Sequence, residues 1–299
     1  MNSGTEDRLL RTAYLAVGDE IVSGRIVDTN LSVLTSCAAG LEQRVVNMHC
    51  ADRLQQIQAA LEFAANLDVD LIVISGGLGP TQDDLTREAV AAFSGCPLEW
   101  RNDAWSHVQR VFAERGIAVI PESNRRQGFL PKGARLLDNP LGTACGLVIE
   151  CGFTKGPCHL LCLPGVPCEF EALLRAYFGA WRATAGEHAD RGQGGDEWLI
   201  AGLGESAFED QLMALLPQNA LQSYAICARA GLLEVKMSWR ENSRAAQNRQ
   251  MVDDRFAPFL VSHRIAPLAE QLVGSLRARD QALFVVDRVT AGLLLEDPT

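Results

Sequence analysis

Nowhere in this 299-residue chain do eighteen or so uncharged apolar residues run together, so no membrane-spanning helix is expected. The opening "MNSGTEDRLLRTAYLAVG" carries acids early and only a short apolar stretch, which argues against a signal peptide. Lysine and arginine form no block, and the formal net charge is −10. The long-range field therefore disfavours nucleic acid and anionic membranes, and a small anionic ligand would need local help. There is no short internal repeat and no low-complexity tract. The nine cysteines lack the framework of a small disulfide domain, which favours a reducing compartment, and the cytoplasm is expected.

What remains is ordinary globular material, 47% hydrophobic and 21% charged, enough for one large domain and one smaller one. Residues 12–18 read as a buried strand, "TNLSVLTSCAAG" as a helix ending at Gly40, and "QRVVNMHCA" as a second strand. In "DRLQQIQAALEFAANL" the residues Leu54, Ile57, Leu61 and Ala64 recur at helical steps, with Asp52 placed as N-cap. "DLIVISGG" is near-continuously apolar, as a strand covered on both faces should be. Strand, helix, strand, helix, strand predicts a mostly parallel α/β sheet.

A helix over 101–116 follows, then two aliphatic runs, "GLVIECG" and "HLLCLPG", and a helix across "CEFEALLRAYF" that closes the first domain near 178. Residues 179–195, rich in glycine and mixed charge, read as a linker. Residues 196–262 read as a small α+β domain with a helix at "ESAFEDQLMALLP" and two strands around Ala230-Gly231. Residues 263–299 open another α/β unit with a helix-like and a strand-like run.

The chemistry gathers at strand ends. "SGGLGPT" follows the third strand, where glycines let backbone approach a phosphate and a helix N-terminus points amides at it. It is neither a Walker A motif, lacking the lysine, nor the dinucleotide fingerprint. Asp83 and Asp84 come next. A helix N-terminus gives an anion roughly 0.3–1 kcal/mol, whereas one carboxylate about 4 Å from one phosphate charge repels it by roughly 4 kcal/mol at an effective dielectric of 20. Either the two acids simply cap the following helix, or a divalent cation bridges carboxylate and phosphate. Asp19 and Glu20 follow the first strand and Asp52 the second, so three strands deliver acids to one edge. The loops at 139–146 and 163–170 have the small residues of anion-holding turns.

"GDEIVSGRIVDTN", "SGGLGPTQDDLTREAV", "FLPKGARLLDNPLGTACG" and "LPGVPCEFEALL" resemble the successive signature blocks of the CinA (competence/damage-inducible) family. Its first domain has the molybdopterin-binding fold, and "GLGESAFEDQL" resembles its small middle domain. The resemblance implies a three-layer, mostly parallel sheet with a second, smaller α+β domain. It further implies a homodimer and a divalent-metal-dependent pyrophosphatase that cleaves ADP-ribose to AMP and ribose 5-phosphate with Mg, Mn or Co. Aspartates functional in related molybdopterin adenylyltransferases line up with Asp84 and Asp52, expected here as catalytic residues that hold the metal with Asp19 or Glu20. On the same ground Gly76, Gly77, Gly79 and Thr81 would cradle phosphate, Asp28 and Asn30 would position ribose or a metal-bound water, and Gly142, Thr143, Gly165 and Pro167 would line the rest of the cleft. No histidine occurs in these blocks, which points to a metal-activated water rather than a histidine base.

The chain also departs from the pattern. Cys145 stands where the family has proline, and "DRVTAG" puts Arg288 where relatives with a nicotinamide mononucleotide deamidase domain carry a serine, so 263–299 read as a remnant without deamidase activity. Asp83, where adenylyltransferases carry arginine, argues against molybdopterin adenylylation. A non-catalytic nucleotide- or molybdopterin-binding module is the alternative. Cys145, Cys151, Cys158, Cys162 and Cys168 lack paired metal-ligand spacing and read as buried thiols. Trp100 and Trp105 read as packing residues, and Arg125 or Arg126 either reaches a phosphate or stays on the surface.

Overall fold

The computed structural model describes residues 9–153, 156–185, 196–229, 231–240, 244–265, 268–279 and 281, which divide into two compact units with the boundary between residues 192 and 193. The first unit runs β1 (Leu10–Val17), the short turn α1 (Asp19–Val22), α2 (Asn30–Cys37), β2 (Glu42–Cys50), α3 (Leu54–Ala65), β3 (Leu71–Ser75), α4 (Thr86–Ser94), β4 (Leu98–Trp100) and α5 (Asn102–Glu114). A 3₁₀ segment (Glu122–Gly128) leads to β5 (Phe129–Pro131), β6 (Arg135–Leu137), β7 (Gly146–Phe153), β8 (Gly156–Leu163) and α6 (Pro167–Ala185).

Its main sheet has the order β2-β1-β3-β8-β7-β6. The pairs among β2, β1, β3 and β8 are parallel, and β7 and β6 reverse direction in turn. Successive strand side chains point to opposite faces, and both faces are buried. Ala13, Leu15, Ile72, Ile74, Leu160 and Cys162 pack with Ile57, Leu61 and Ala64 of α3, Ala89 and Val90 of α4 and Ala104 of α5. Tyr14, Ala16, Val73 and Leu161 pack on the other side with Leu34 of α2 and Phe170, Leu174 and Phe178 of α6. This is the expected three-layer α/β arrangement, and each fully buried aliphatic side chain contributes about 1.5–3 kcal/mol to it.

Two local expectations change. The N-cap position of α3 is Arg53, with no side-chain cap, and Asp52 instead accepts from the backbone N–H of Asp19. The helix expected to end near 178 continues to Ala185, so the first residues of the expected linker are helical, and 186–195 lie outside the described residues.

The second unit contains β9 (Asp196–Ala201), α7 (Glu205–Leu215), β10 (Leu221–Arg229), β11 (Leu232–Trp239), α8 (Ala245–Phe256), β12 (Leu260–Ser262) and α9 (Leu268–Ala278). Its sheet, β10-β11-β9-β12, is antiparallel at every pair. Trp198, Ile200, Val235 and Met237 pack against Phe208 and Leu212 of α7 and Val252 and Phe256 of α8, making a smaller α+β unit. The strand expected near 282–286 and the block around Arg288 lie outside the described residues. No helix among the described residues is long and apolar enough to cross a membrane.

Candidate functional site

Parallel strands send their carboxyl ends to one edge, and ligands in open α/β sheets bind there. β1 delivers Gly18, Asp19 and Glu20 to that edge, β2 delivers Asp52, β3 the Gly76–Thr81 loop, and β8 Pro164 and Gly165. Because β7 runs the opposite way, its beginning lies at the same edge and brings Gly142 and Thr143 along. The result is a cleft of about 580 Å³, within the size of small-molecule sites. Glu20, Asp28, Asn30, Asp52, Gly76, Gly77, Gly79, Thr81, Asp84, Gly142, Thr143, Gly165 and Pro167 all line it. Of the residues expected in the site, Asp19 is the one that does not.

The glycine loop is fixed from beneath. Gly76 and Gly77 have φ of 100° and 68°, and a Cβ on either would collide with the Val17 carbonyl or the Thr86 hydroxyl, so only glycine fits. The buried Thr86 donates its hydroxyl to Gly76 O (2.8 Å) and its N–H to Gly77 O (3.1 Å). Arg87, 2% exposed, donates to the carbonyls of Leu78 and Gly79. Four consecutive carbonyls are thus committed to the start of α4. Sequence reasoning missed Arg87, whose charge is offset by Glu88 and Asp84 nearby.

Asp84 does not cap α4, whose N-cap position, Leu85, makes no side-chain cap bond. Its Oδ1 accepts from Gly79 N–H (2.8 Å), and its Oδ2 accepts from Thr81 N–H (2.8 Å) and the Thr81 hydroxyl. Two loop amides expected to cradle phosphate therefore hold the chain's own carboxylate.

Asp52 Oδ2 accepts from Asp19 N–H at 2.8 Å. Burial, with the charges of Glu20, Asp19 and Asp83, pushes its carboxyl above the usual range, opposed by that hydrogen bond. Asp28 Oδ1 accepts from Tyr14 Oη and Asn30 N–H, both at 3.0 Å, and burial raises the Tyr14 hydroxyl far enough that it stays a donor. His49 Nε2 comes within 3.3 Å of Asp28 Oδ2, so a histidine outside the sequence blocks does approach the site.

The far wall holds residues to which sequence reasoning gave no site role, Glu169 and Gln127 among them. Glu169 lines the cleft and accepts from Asn139 Nδ2 at 2.7 Å. Gln127 donates to the Thr143 hydroxyl at 3.2 Å. His107 Nε2 contacts Gly142 O (2.9 Å) while its Nδ1 contacts Asp138 (2.6 Å). Arg115 donates to Leu141 O. Trp100, Trp105 and Phe129 pack together with Arg125 over the tryptophan rings, and Arg126 pairs with Glu88 at 2.8 Å. Neither arginine is among the cleft-lining residues.

A family model described as "Probable molybdopterin binding domain" matches residues 13–180, the span that builds this sheet and cleft. A CinA-like protein of Citrifermentans bemidjiense is 32% identical over 95% of the chain and 67% of its own length. The chain belongs to the CinA-like family. A protein of Moorella thermoacetica named for competence-damage induction is 34% identical over 95% of this CinA-like chain and 69% of its own. The CinA-like chain thus spans about two thirds of the length of these relatives. The crystal structure of CinA from Thermoplasma acidophilum is 33% identical, with a TM-score of 0.50, over 57% of this chain and 98% of that one.

Proposed function

We propose that the cleft hydrolyses the diphosphate of a nucleoside diphosphate sugar of the ADP-ribose type to AMP and ribose 5-phosphate, with a divalent cation (Mg, Mn or Co) as cofactor. The observation that carries this reading is a charge imbalance. Glu20, Asp28, Asp52, Asp83, Asp84 and Glu169 line the cleft beside a glycine loop, against Arg115 as the one guanidinium among the described lining residues. Each carboxylate within about 4 Å of a phosphate charge would cost roughly 4 kcal/mol, so a diphosphate enters together with a cation.

The donor set fits such an ion in one form. Asp52 and Glu20 both line the cleft and lie close enough for Glu20 to raise the Asp52 carboxyl. A magnesium-sized ion takes one or two carboxylates and completes its shell with phosphate oxygens and water. A closed cage of Asp84, Asp52, Asp19 and Glu20 does not fit, because no group of three or more candidate ligands sits together among the described residues and Asp84 braces the loop. When bound, the cation would neutralise the diphosphate and make water a better nucleophile. Gly76 and Gly77 let the backbone approach the phosphates closely, and Gln127 and Thr143 supply neutral polar groups opposite.

The engagement of Asp84 by its own loop favours a second reading, a nucleotide- or molybdopterin-binding module without catalysis. Incubating the purified chain with ADP-ribose and each metal, and measuring AMP by chromatography, separates the two. AMP above an Asp52→Ala control supports hydrolysis. Metal-dependent binding with no AMP supports the module. The same reading carries a cytoplasmic homodimer, for which light scattering tests the subunit number.

A further inference from the structure

The sheet of the second unit has two edges, and they differ. β12 is three residues long, whereas β10 runs for nine, LQSYAICAR, with its outer side unpaired among the described residues. Folded proteins blunt exposed edges by shortness, proline, lysine or inward-pointing charge. β12 is short, but β10 has no proline and no lysine, and its one charge, Arg229, stands at its end. Alternate residues of such a strand point N–H and C=O outward, so β10 offers a row of backbone donors and acceptors.

Apolar surface lies along the same edge. Tyr224 and Ile226 stand opposite Met237 and Val235 of β11, which belong to the core, so both side chains lie on the face that α7 and α8 cover. Tyr224 and Met213 are 41% and 45% exposed, and with Leu216, Pro217 and Leu221 they line a groove of about 600 Å³. The Tyr224 hydroxyl donates to Glu209 of α7, which ties the ring to the helix. A strand laid along β10 would gain backbone hydrogen bonds and bury side chains in this groove.

The sequence of β10 fits itself. Antiparallel pairing of two copies about a two-fold axis at Ala225 overlaps the whole strand. It sets Tyr224 opposite Ile226 of the second copy, an aromatic residue against a β-branched one, which is a stabilising cross-strand pair. That Ile226 then covers the Tyr224 end of the groove. Ser223 faces Cys227, and Ala225 faces Ala225. The two Arg229 side chains stand at opposite ends, roughly 27 Å apart, well past a Debye length of about 8 Å. A parallel pairing would set them side by side.

We propose that β10 pairs with β10 of a second copy of this chain, antiparallel about Ala225, so that two four-stranded sheets become one continuous sheet. The proposal rests on the functional reading above only in taking two copies. The surface and its register come from this edge, and no β10 residue lines the cleft.

The test uses the whole chain. Ala225→Glu and Ala225→Lys change an exposed side chain, and a melting curve checks the fold. Each puts like charges directly opposite at the axis, so light scattering over a dilution series should show self-association weakened roughly tenfold or more. An equimolar mixture of the two variants should restore it. Independently, Ser223→Cys treated with oxidised glutathione should give a covalent dimer whose peptides link position 223 to Cys227, because opposed residues lie about 4.5–5.5 Å apart, within disulfide reach. A dimer that persists in both charged variants, or the absence of that link, overturns the surface and leaves a homodimer to form through another face. A native chain that stays monomeric at every concentration overturns surface and homodimer together. Protection of the β10 amides from hydrogen exchange in a monomer also overturns the proposal, since the chain would then cover its own edge. AMP release from ADP-ribose, measured on the same variants, decides the hydrolytic reading separately.

Discussion

Replacing Asp84 with alanine separates a loop brace from a metal ligand. The carboxylate accepts from Gly79 N–H, Thr81 N–H and the Thr81 hydroxyl. Hydrogen bonds to a charged group contribute about 1.5–3 kcal/mol each when buried. Both Thr81 contacts lie at the surface, where water replaces what is lost, and the Gly79 contact is half-buried. The net cost of Asp84→Ala should then be about 1–3 kcal/mol, and a unit of this size loses about 2–4 °C per kcal/mol. Calorimetry in metal-free buffer should show the Tm lowered by roughly 2–12 °C, with faster hydrogen exchange at Gly79 and Thr81. A residue serving only as a metal ligand behaves oppositely, since deleting one acid from an acidic cleft relieves repulsion and leaves the Tm level or raised. An unchanged Tm with unchanged exchange at both amides would refute the brace.

Three further outcomes follow from the geometry. Gly77→Ala places a Cβ against Thr86 at φ 68° and should destabilise by more than about 2 kcal/mol. Gly133→Ala, at φ 83° with open space around it, should cost about 1 kcal/mol, and equal losses in urea melts would contradict the collision. Asp52 has its folded-state carboxyl raised by burial and neighbouring acids, so its ionisation penalises the fold above that pKa and the penalty vanishes below the unfolded value of about 3.9. Asp52→Asn in metal-free buffer should therefore gain stability over the native chain at pH 7 and lose that gain by about pH 4, and a difference independent of pH would count against the assignment. Burial pushes the Cys50, Cys145 and Cys158 thiols up to about 12 and Cys151 to about 11. A maleimide pulse at pH 8 should thus first label Cys227 and Cys168, which is exposed at the start of α6 and not buried as its sequence suggested, and prompt labelling of the buried four would show a more open sheet.

The sheet was legible because its central strands carry aliphatic runs, LIVIS in β3 above all, and helices such as α3 repeat apolar residues at helical steps, as Ile57, Leu61 and Ala64 do. The convergence of acids was legible too, since parallel strands all end at one edge. The work of Asp84 was not. An acid five residues after Gly79 can cap a helix, hold a metal or fold back on the loop, and the outcome depends on Arg87 drawing the Leu78 and Gly79 carbonyls the other way. Asp52 misled for a similar reason, because an acid two residues before a helix reads as a cap until a competing amide, here that of Asp19, is known. Glu169 reaches the cleft from the first turn of α6 and Gln127 from a 3₁₀ segment, which leaves no periodic trace. In the second unit α8 buries only Asn248, Val252 and Phe256, too sparse a pattern to stand out among its polar residues.

The carboxylate of Asp84 is tethered five residues from the amide it occupies, so it acts as a ligand at high effective concentration. A free phosphate competing for the Gly79 and Thr81 amides must outbid an anion that never diffuses away. If the loop receives phosphate as proposed, loose phosphate at ordinary solution levels would be kept off these amides, and a larger ligand displacing Asp84 would have to be held by contacts elsewhere in the cleft. On the proposed function, the loop would thus favour ligands that make more contacts than a single phosphate can.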